Sequence, residues 1–125
     1  LGKGFLTGMI PANRRFENKD IRSRIPRFNQ PENLAANQAL VRAIKALAEE
    51  NELAPSQLAL AWILRKKPWI VPIPGTKSYL RLQENMSAAY VEVPEETWKK
   101  LDGILKEIPV LGERYSTEML KMTGR

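Results

Sequence analysis

The chain has 125 residues, 43% of them hydrophobic, with a formal charge of +6 and a pI near 9.8, a balance that suits a globular protein and excludes a disordered one. It contains no cysteine and no histidine, which removes a disulfide framework, a thiolate metal site and imidazole ligands for a transition metal. No apolar run reaches the roughly 18 residues that span a bilayer, no signal-peptide pattern is present, and the basic residues are dispersed without interleaved aromatics; neither membrane nor nucleic acid is an expected partner, and the expected compartment is the cytoplasm.

Leu1 to Gly8 holds three glycines spaced for close backbone approach, though without the spacing of either standard phosphate loop. Met9 to Gln30 is polar and basic, with Asn13-Arg14-Arg15 and Arg22-Ser23-Arg24, and its lack of periodicity predicts a long loop. From Pro31 the pattern changes. Leu34, Asn37, Leu40, Val41, Ile44, Leu47 and Ala48 recur at helical spacing, predicting an amphipathic helix that ends near Asn51. Pro55 at a first helical position, followed by Leu58, Ala61 and Trp62, predicts a second helix that runs to Arg65-Lys66-Lys67 and stops at Pro68. Ala54 supplies it no side-chain cap, at a cost of about 1 kcal/mol.

Trp69 to Ile73 is an apolar run that breaks at Pro74-Gly75, predicting a strand buried on both faces, a tight turn, and a helix from Tyr79 to about Ala89. On that helix Leu82 and Met86 are expected inside, and Arg81, Glu84 and Asn85 on a polar face. Such a junction aims the first N–H groups and the dipole of the helix at the space above the strand, where a phosphate is the natural guest. Gly75 admits close backbone approach, Thr76 and Ser78 bring hydroxyls, Lys77 brings a point charge, and Arg81 stands one turn further in. The same turn chemistry also hands an ordinary strand to a helix with no ligand at all. Pro94 opens a last helix with Trp98, Leu101, Ile104 and Leu105 as its stripe, Pro109 closes it, and Val110 to Arg125 reads as a tail. Helices alternating with a strand predict the α/β class and a parallel sheet. The one strand has no partner here, and the chain opens at Leu1 without a methionine, so a carboxyl-terminal piece of a larger protein is the expectation.

The string Ile73-Pro74-Gly75-Thr76-Lys77-Ser78-Tyr79-Leu80-Arg81-Leu82-Gln83-Glu84-Asn85 closely resembles the segment that closes the barrel of the aldo-keto reductases and holds the adenosine 2′-phosphate of NADPH. Leu1-Gly2-Lys3-Gly4-Phe5-Leu6-Thr7-Gly8 resembles that family's stretch after the seventh strand, and Arg24-Ile25-Pro26-Arg27-Phe28, Pro31-Glu32-Asn33-Leu34 and Leu58-Ala59-Leu60-Ala61-Trp62 also match, so the resemblance covers nearly all of the chain. It implies the carboxyl-terminal portion of a (β/α)8 TIM barrel, mostly helical in this fragment with one buried strand. Residues 1–30 would be the loop after strand seven, 31–67 helices, 69–90 strand eight and its helix, and 94–125 a terminal helix and tail.

The implied activity is NADP-dependent reduction of aldehydes or ketones to alcohols, in which a tyrosine hydroxyl, assisted by a lysine, an aspartate and usually a histidine, protonates the oxygen. Those four groups come from earlier strands in the family, and Tyr79, Tyr90 and Tyr115 stand in the wrong motifs. The resemblance thus assigns no catalytic residue to this chain and gives cofactor binding to Leu1, Gly2, Lys3, Gly75, Thr76, Lys77, Arg81, Glu84 and Asn85. Its implied partners are NADPH, a small carbonyl substrate and the missing N-terminal part of the barrel. Many members place Lys and Ser directly after Ile-Pro, whereas here Gly75-Thr76 intervene, so the cation facing the 2′-phosphate is Lys77, Arg81 or both. Readings of other classes are a small basic helical interaction module with no catalytic role, and a barrel that senses the cofactor without catalysis.

Overall fold

The computed structural model describes residues 1–123, and among these the regular structure is helical throughout. In chain order the helices are α1 (Pro26–Asn29), α2 (Pro31–Glu49), α3 (Pro55–Leu64), α4 (Tyr79–Ser87), α5 (Glu95–Glu107) and α6 (Thr117–Lys121), with short 3-10 turns at Phe5–Thr7 and Ile21–Arg24. The stripe predicted for α2 is buried in full, Asn37 included. Leu40, Ile44, Leu47 and Ala48 pack with Leu58 and Ala61 of α3 and with Trp98 and Leu101 of α5. Leu34 and Val41 face a second cluster made by Phe5, Ile10, Ile25 and Phe28. One helix therefore serves two cores.

The stretch from Met9 to Gln30, read as a long loop, contains the Ile21–Arg24 turn and α1. It is pinned by Ile25, which is wholly buried, and by Phe28, whose ring meets those of Phe5 and Phe16 edge-on at 6.1 and 5.7 Å. Pro55 opens α3 as predicted, and Ala54 indeed offers no side-chain oxygen. Half of a capping box replaces it, because the Ala54 N–H donates to Gln57 Oε1 at 2.8 Å.

The buried strand expected at Trp69 to Ile73 is not there, and with it falls the expected α/β class with a barrel sheet. The segment forms no ladder: Trp69 lies in a turn closed by the Ile70 N–H on the Lys67 carbonyl at 3.2 Å, and Trp69, Val71 and Ile73 are exposed to 72%, 78% and 92%. A strand buried on both faces needs neighbours on both edges to satisfy its N–H and C=O groups. No second strand exists among the described residues, and Pro72 and Pro74 remove two donors besides.

The orientation expected for α4 also fails. Leu82 and Met86 are exposed to 42% and 63%, and α4 itself buries no residue. Its polar side is instead tied to the start of α3, where Ser56 Oγ donates to the Glu84 carboxylate and Gln57 Nε2 donates to Ser87 Oγ at 2.7 Å. Those bonds outweigh the pull of two apolar side chains that find no surface to cover them.

The tail is better fixed than its sequence suggests. After α5 ends at the predicted Pro109, the Asn37 side chain, 2% exposed, donates to the Leu111 carbonyl at 2.9 Å and accepts from the Leu111 N–H at 2.8 Å. Arg27 Nε donates to the Gly112 carbonyl at 2.8 Å. Gly112 turns at φ 82°, and a Cβ there would stand 2.7 Å from Asn33 Nδ2 and 3.1 Å from the Arg27 nitrogen, so only glycine fits. Ser116 then caps α6 through its hydroxyl. The tail expectation for residues 124 and 125 lies outside the described residues.

Asn37→Ala removes both bonds to Leu111 and should cost about 1–3 kcal/mol. Hydrogen exchange followed by mass spectrometry should show faster exchange in residues 110–114 with α2 and α3 unchanged; exchange as slow as in the parent chain would mean the clamp does not hold the tail.

Candidate functional site

Two backbone features face each other across a cleft of about 990 Å3. The first is the amino-terminal loop, in which Gly2, Lys3 and Gly4 take φ values of 56°, 55° and 89° in succession. For Lys3, a left-handed conformation costs roughly 1–2 kcal/mol, so the surroundings must enforce it. The Leu1 carbonyl accepts from the Gly4 and Leu6 N–H groups at 3.1 and 3.3 Å, Arg22 Nη1 donates to the Lys3 carbonyl at 3.3 Å, and the Lys3 ammonium lies 4.5 Å over the Tyr115 ring.

Arg22 is itself immobilised. Its Nε and Nη2 donate to the Asp20 carboxylate at 3.0 and 2.7 Å, and its guanidinium lies 4.3 Å over the Phe16 ring, with Arg14 at 5.8 Å from the same ring. The hydrogen bonds from the Arg22 side chain, then that from its backbone N–H, pull the Asp20 carboxyl down from 3.8 to about 2.

The second feature is the turn from Ile73 into α4. Thr76 Oγ1 accepts from the Ser78 N–H at 3.1 Å and Ser78 Oγ accepts from the Arg81 N–H at 3.4 Å, so both hydroxyls organise the helix start. A Cβ added at Gly75 would meet nothing within 4 Å, which leaves open room beside this backbone for a bound group. Glu84, one turn beyond Arg81, is held by buried Ser56.

The cleft gathers Leu1, Lys3, Gly75, Thr76, Arg81, Glu84 and Asn85 on its walls. Gly2 and Lys77 are not among its lining residues; Gly2 borders a separate apolar cavity, and Lys77 is exposed. Arg14, Arg22, Lys45 and Ser56 join the walls without having been singled out in the sequence. The two basic clusters of the loop were visible, but which arginine turns inward is decided by the Phe16 ring and by Asp20, contacts between residues that no local spacing announces. Five cations line the cleft against one lining carboxylate, Glu84; Arg22 is paired with Asp20 and Lys45 with Glu49, so Lys3, Arg14 and Arg81 are the three without an ion pair among the described residues. Such a lining suits an anionic ligand.

The sequence profile of the aldo/keto reductase family matches residues 1–106. The chain belongs to this family. Among its relatives, aldo-keto reductase yakc [NADP(+)] of Schizosaccharomyces pombe is 40% identical over 115 residues, covering 92% of this chain and 34% of the relative. Aldo-keto reductase str7 of Strobilurus tenacellus is 35% identical over 114 residues, covering 91% and 34%. This aldo/keto reductase chain thus spans about a third of the length of the curated relatives it matches. No solved structure gives a significant match. Among the described residues, no helix is long and apolar enough to cross a membrane.

Because the folded Asp20 carboxyl titrates near 2 rather than 3.8, the pair with Arg22 contributes stability that is whole above about pH 4 and lost as the pH falls through about 2. Urea denaturation of the parent chain and of Asp20→Asn should therefore differ at pH 7 and converge as pH 2 is approached. A gap that persists to pH 2 would assign the difference to something other than this carboxylate.

Proposed function

We propose that the cleft takes the adenosine end of NADP, and that the chain is the cofactor-holding part of a cytoplasmic oxidoreductase that reduces aldehydes or ketones to alcohols. The observation that carries this is the excess of cations over carboxylates on a cleft whose far wall is the Gly75 turn and the first turns of α4. Family membership supports it, as does a relative whose name specifies NADP(+). NADPH when bound supplies the hydride. What this chain does is bind and orient.

Arg81 is assigned to the 2′-phosphate as a planar donor on the cleft wall, with Lys77 adding a more distant positive charge. Thr76 and the open backbone at Gly75 receive the same group, and Glu84, aimed by Ser56, with Asn85 beside it, accepts from the adenine amine. Leu1 and Lys3 border the pyrophosphate path, and Gly2 acts through the left-handed turn that presents Lys3. The acid that protonates the carbonyl oxygen is left to the rest of a longer enzyme. Trp69, Val71, Leu80 and Met86, all exposed, are apolar surface on which further protein would pack.

Adenosine 2′,5′-bisphosphate and adenosine 5′-monophosphate isolate this end of the cofactor, and differ only in the group that Arg81 is assigned to hold. Calorimetric titration at fixed salt should show Arg81→Ala weakening the bisphosphate about ten- to a hundredfold, the worth of a charge-assisted hydrogen bond, while sparing the monophosphate. Lys77→Ala should cost less, and Glu84→Ala should weaken both ligands alike. Equal losses on both ligands in Arg81→Ala would leave the turn as structure alone.

A further inference from the structure

A second cavity, of about 230 Å3, lies between α2, α3 and α5 beneath the tail, and shares only Lys3 with the cofactor cleft. Its body is apolar, walled by Leu40 and Ile44 of α2, Trp62 of α3 and Leu101 of α5. It opens to solvent at a rim that includes Gly2, Lys3, Val110 and Arg114, all exposed. Its polar residues are Asn37, whose amide is committed to Leu111, and three cations, Lys3, Arg27 and Arg114, with no carboxylate on the lining.

The three cations lack a counter-charge. None of them forms an ion pair among the described residues. Lys3 Nζ and Arg114 Cζ lie 4.5 and 5.1 Å from the centre of one ring, that of Tyr115, and both are exposed on the rim of the cavity. Arg27 spends its Nε on Gly112 and keeps its terminal nitrogens for another acceptor. A carboxylate seated at the rim would meet these cations, which a neutral guest would not.

We propose that this cavity binds a small aromatic carboxylate, its ring system against Leu40, Ile44 and Trp62 and its carboxylate against Arg114, Arg27 and Lys3. An apolar cavity of about 150 Å3 accommodates benzene, so this one suits a fused bicyclic body. Since Lys3 borders both spaces, the ligand sits beside the cofactor cleft without occupying it.

The test is calorimetry on the full chain with 2-naphthoate and its neutral isostere 2-naphthamide, joined to isotope-filtered NOEs from the ligand to the protein methyls. Naphthoate should bind at one site, show NOEs to Leu40 and Ile44, and exceed the amide by about tenfold, as a charge-assisted bond in place of a neutral one requires. Arg114→Gln should bring the acid down toward the amide. Ala59→Leu, which fills the cavity from α3, should abolish both, while Arg81→Ala in the cofactor cleft should change neither. Equal binding of acid and amide, retention in Ala59→Leu, or loss in Arg81→Ala overturns the proposal. Should Ala59→Leu lose its helical circular dichroism, the NOEs decide alone: contacts away from Leu40 and Ile44, or no binding at all, overturn it.

Discussion

Everything in the chain leans on the burial of α2. Its stripe is wide enough that Leu40, Ile44, Leu47 and Ala48 join α3 and α5 while Leu34 and Val41 join the cluster of phenylalanines from the amino-terminal loop. A fully buried Leu, Ile or Val contributes on the order of 1.5–3 kcal/mol, so neither cluster is large enough alone and both draw on the same helix. Asn37 sits where the two faces meet. Its position in an apolar stripe is explained by its bonds to Leu111, since a buried amide without partners would cost more than the burial returns.

Periodicity made the helices legible. The predicted α2 stripe is the observed one residue for residue, Pro31, Pro55 and Pro94 mark three helix starts, and Pro109 marks an end, because these signals act within a turn or two of chain. The strand was misread because a five-residue apolar run carries no information about partners, and a parallel strand is a property of the sheet around it. The turning of α4 was hidden for a related reason. Leu82 and Met86 announce an inner face only if something covers them, whereas Ser56 and Gln57 lie some thirty residues away in sequence and still set the rotation through Glu84 and Ser87.

The site divides along the same line. That Gly75, Thr76, Arg81, Glu84 and Asn85 share one wall is legible in the sequence because they are neighbours and the helix repeat brings the last three together, whereas Lys77 falls off that wall. The opposite wall was readable only in part, through the glycines. Arg14 and Arg22 enter because Phe16 packs edge-on against Phe28 and offers them its ring, which ties their placement to the second core and not to their own segment.

Lys3 shows how far that dependence reaches. Its left-handed backbone is an unfavourable conformation that Arg22 holds at the carbonyl, and Arg22 is aimed by Asp20. Its side chain rests on Tyr115, which follows the tail segment clamped by Asn37 and Arg27. Loosening the tail therefore removes one of the two supports of a strained residue on the cleft wall, although the clamp at Leu111 is itself no part of that cleft. Residues 109–116 are thus joined mechanically to the cleft and, through Val110 and Arg114, to the apolar cavity beneath them.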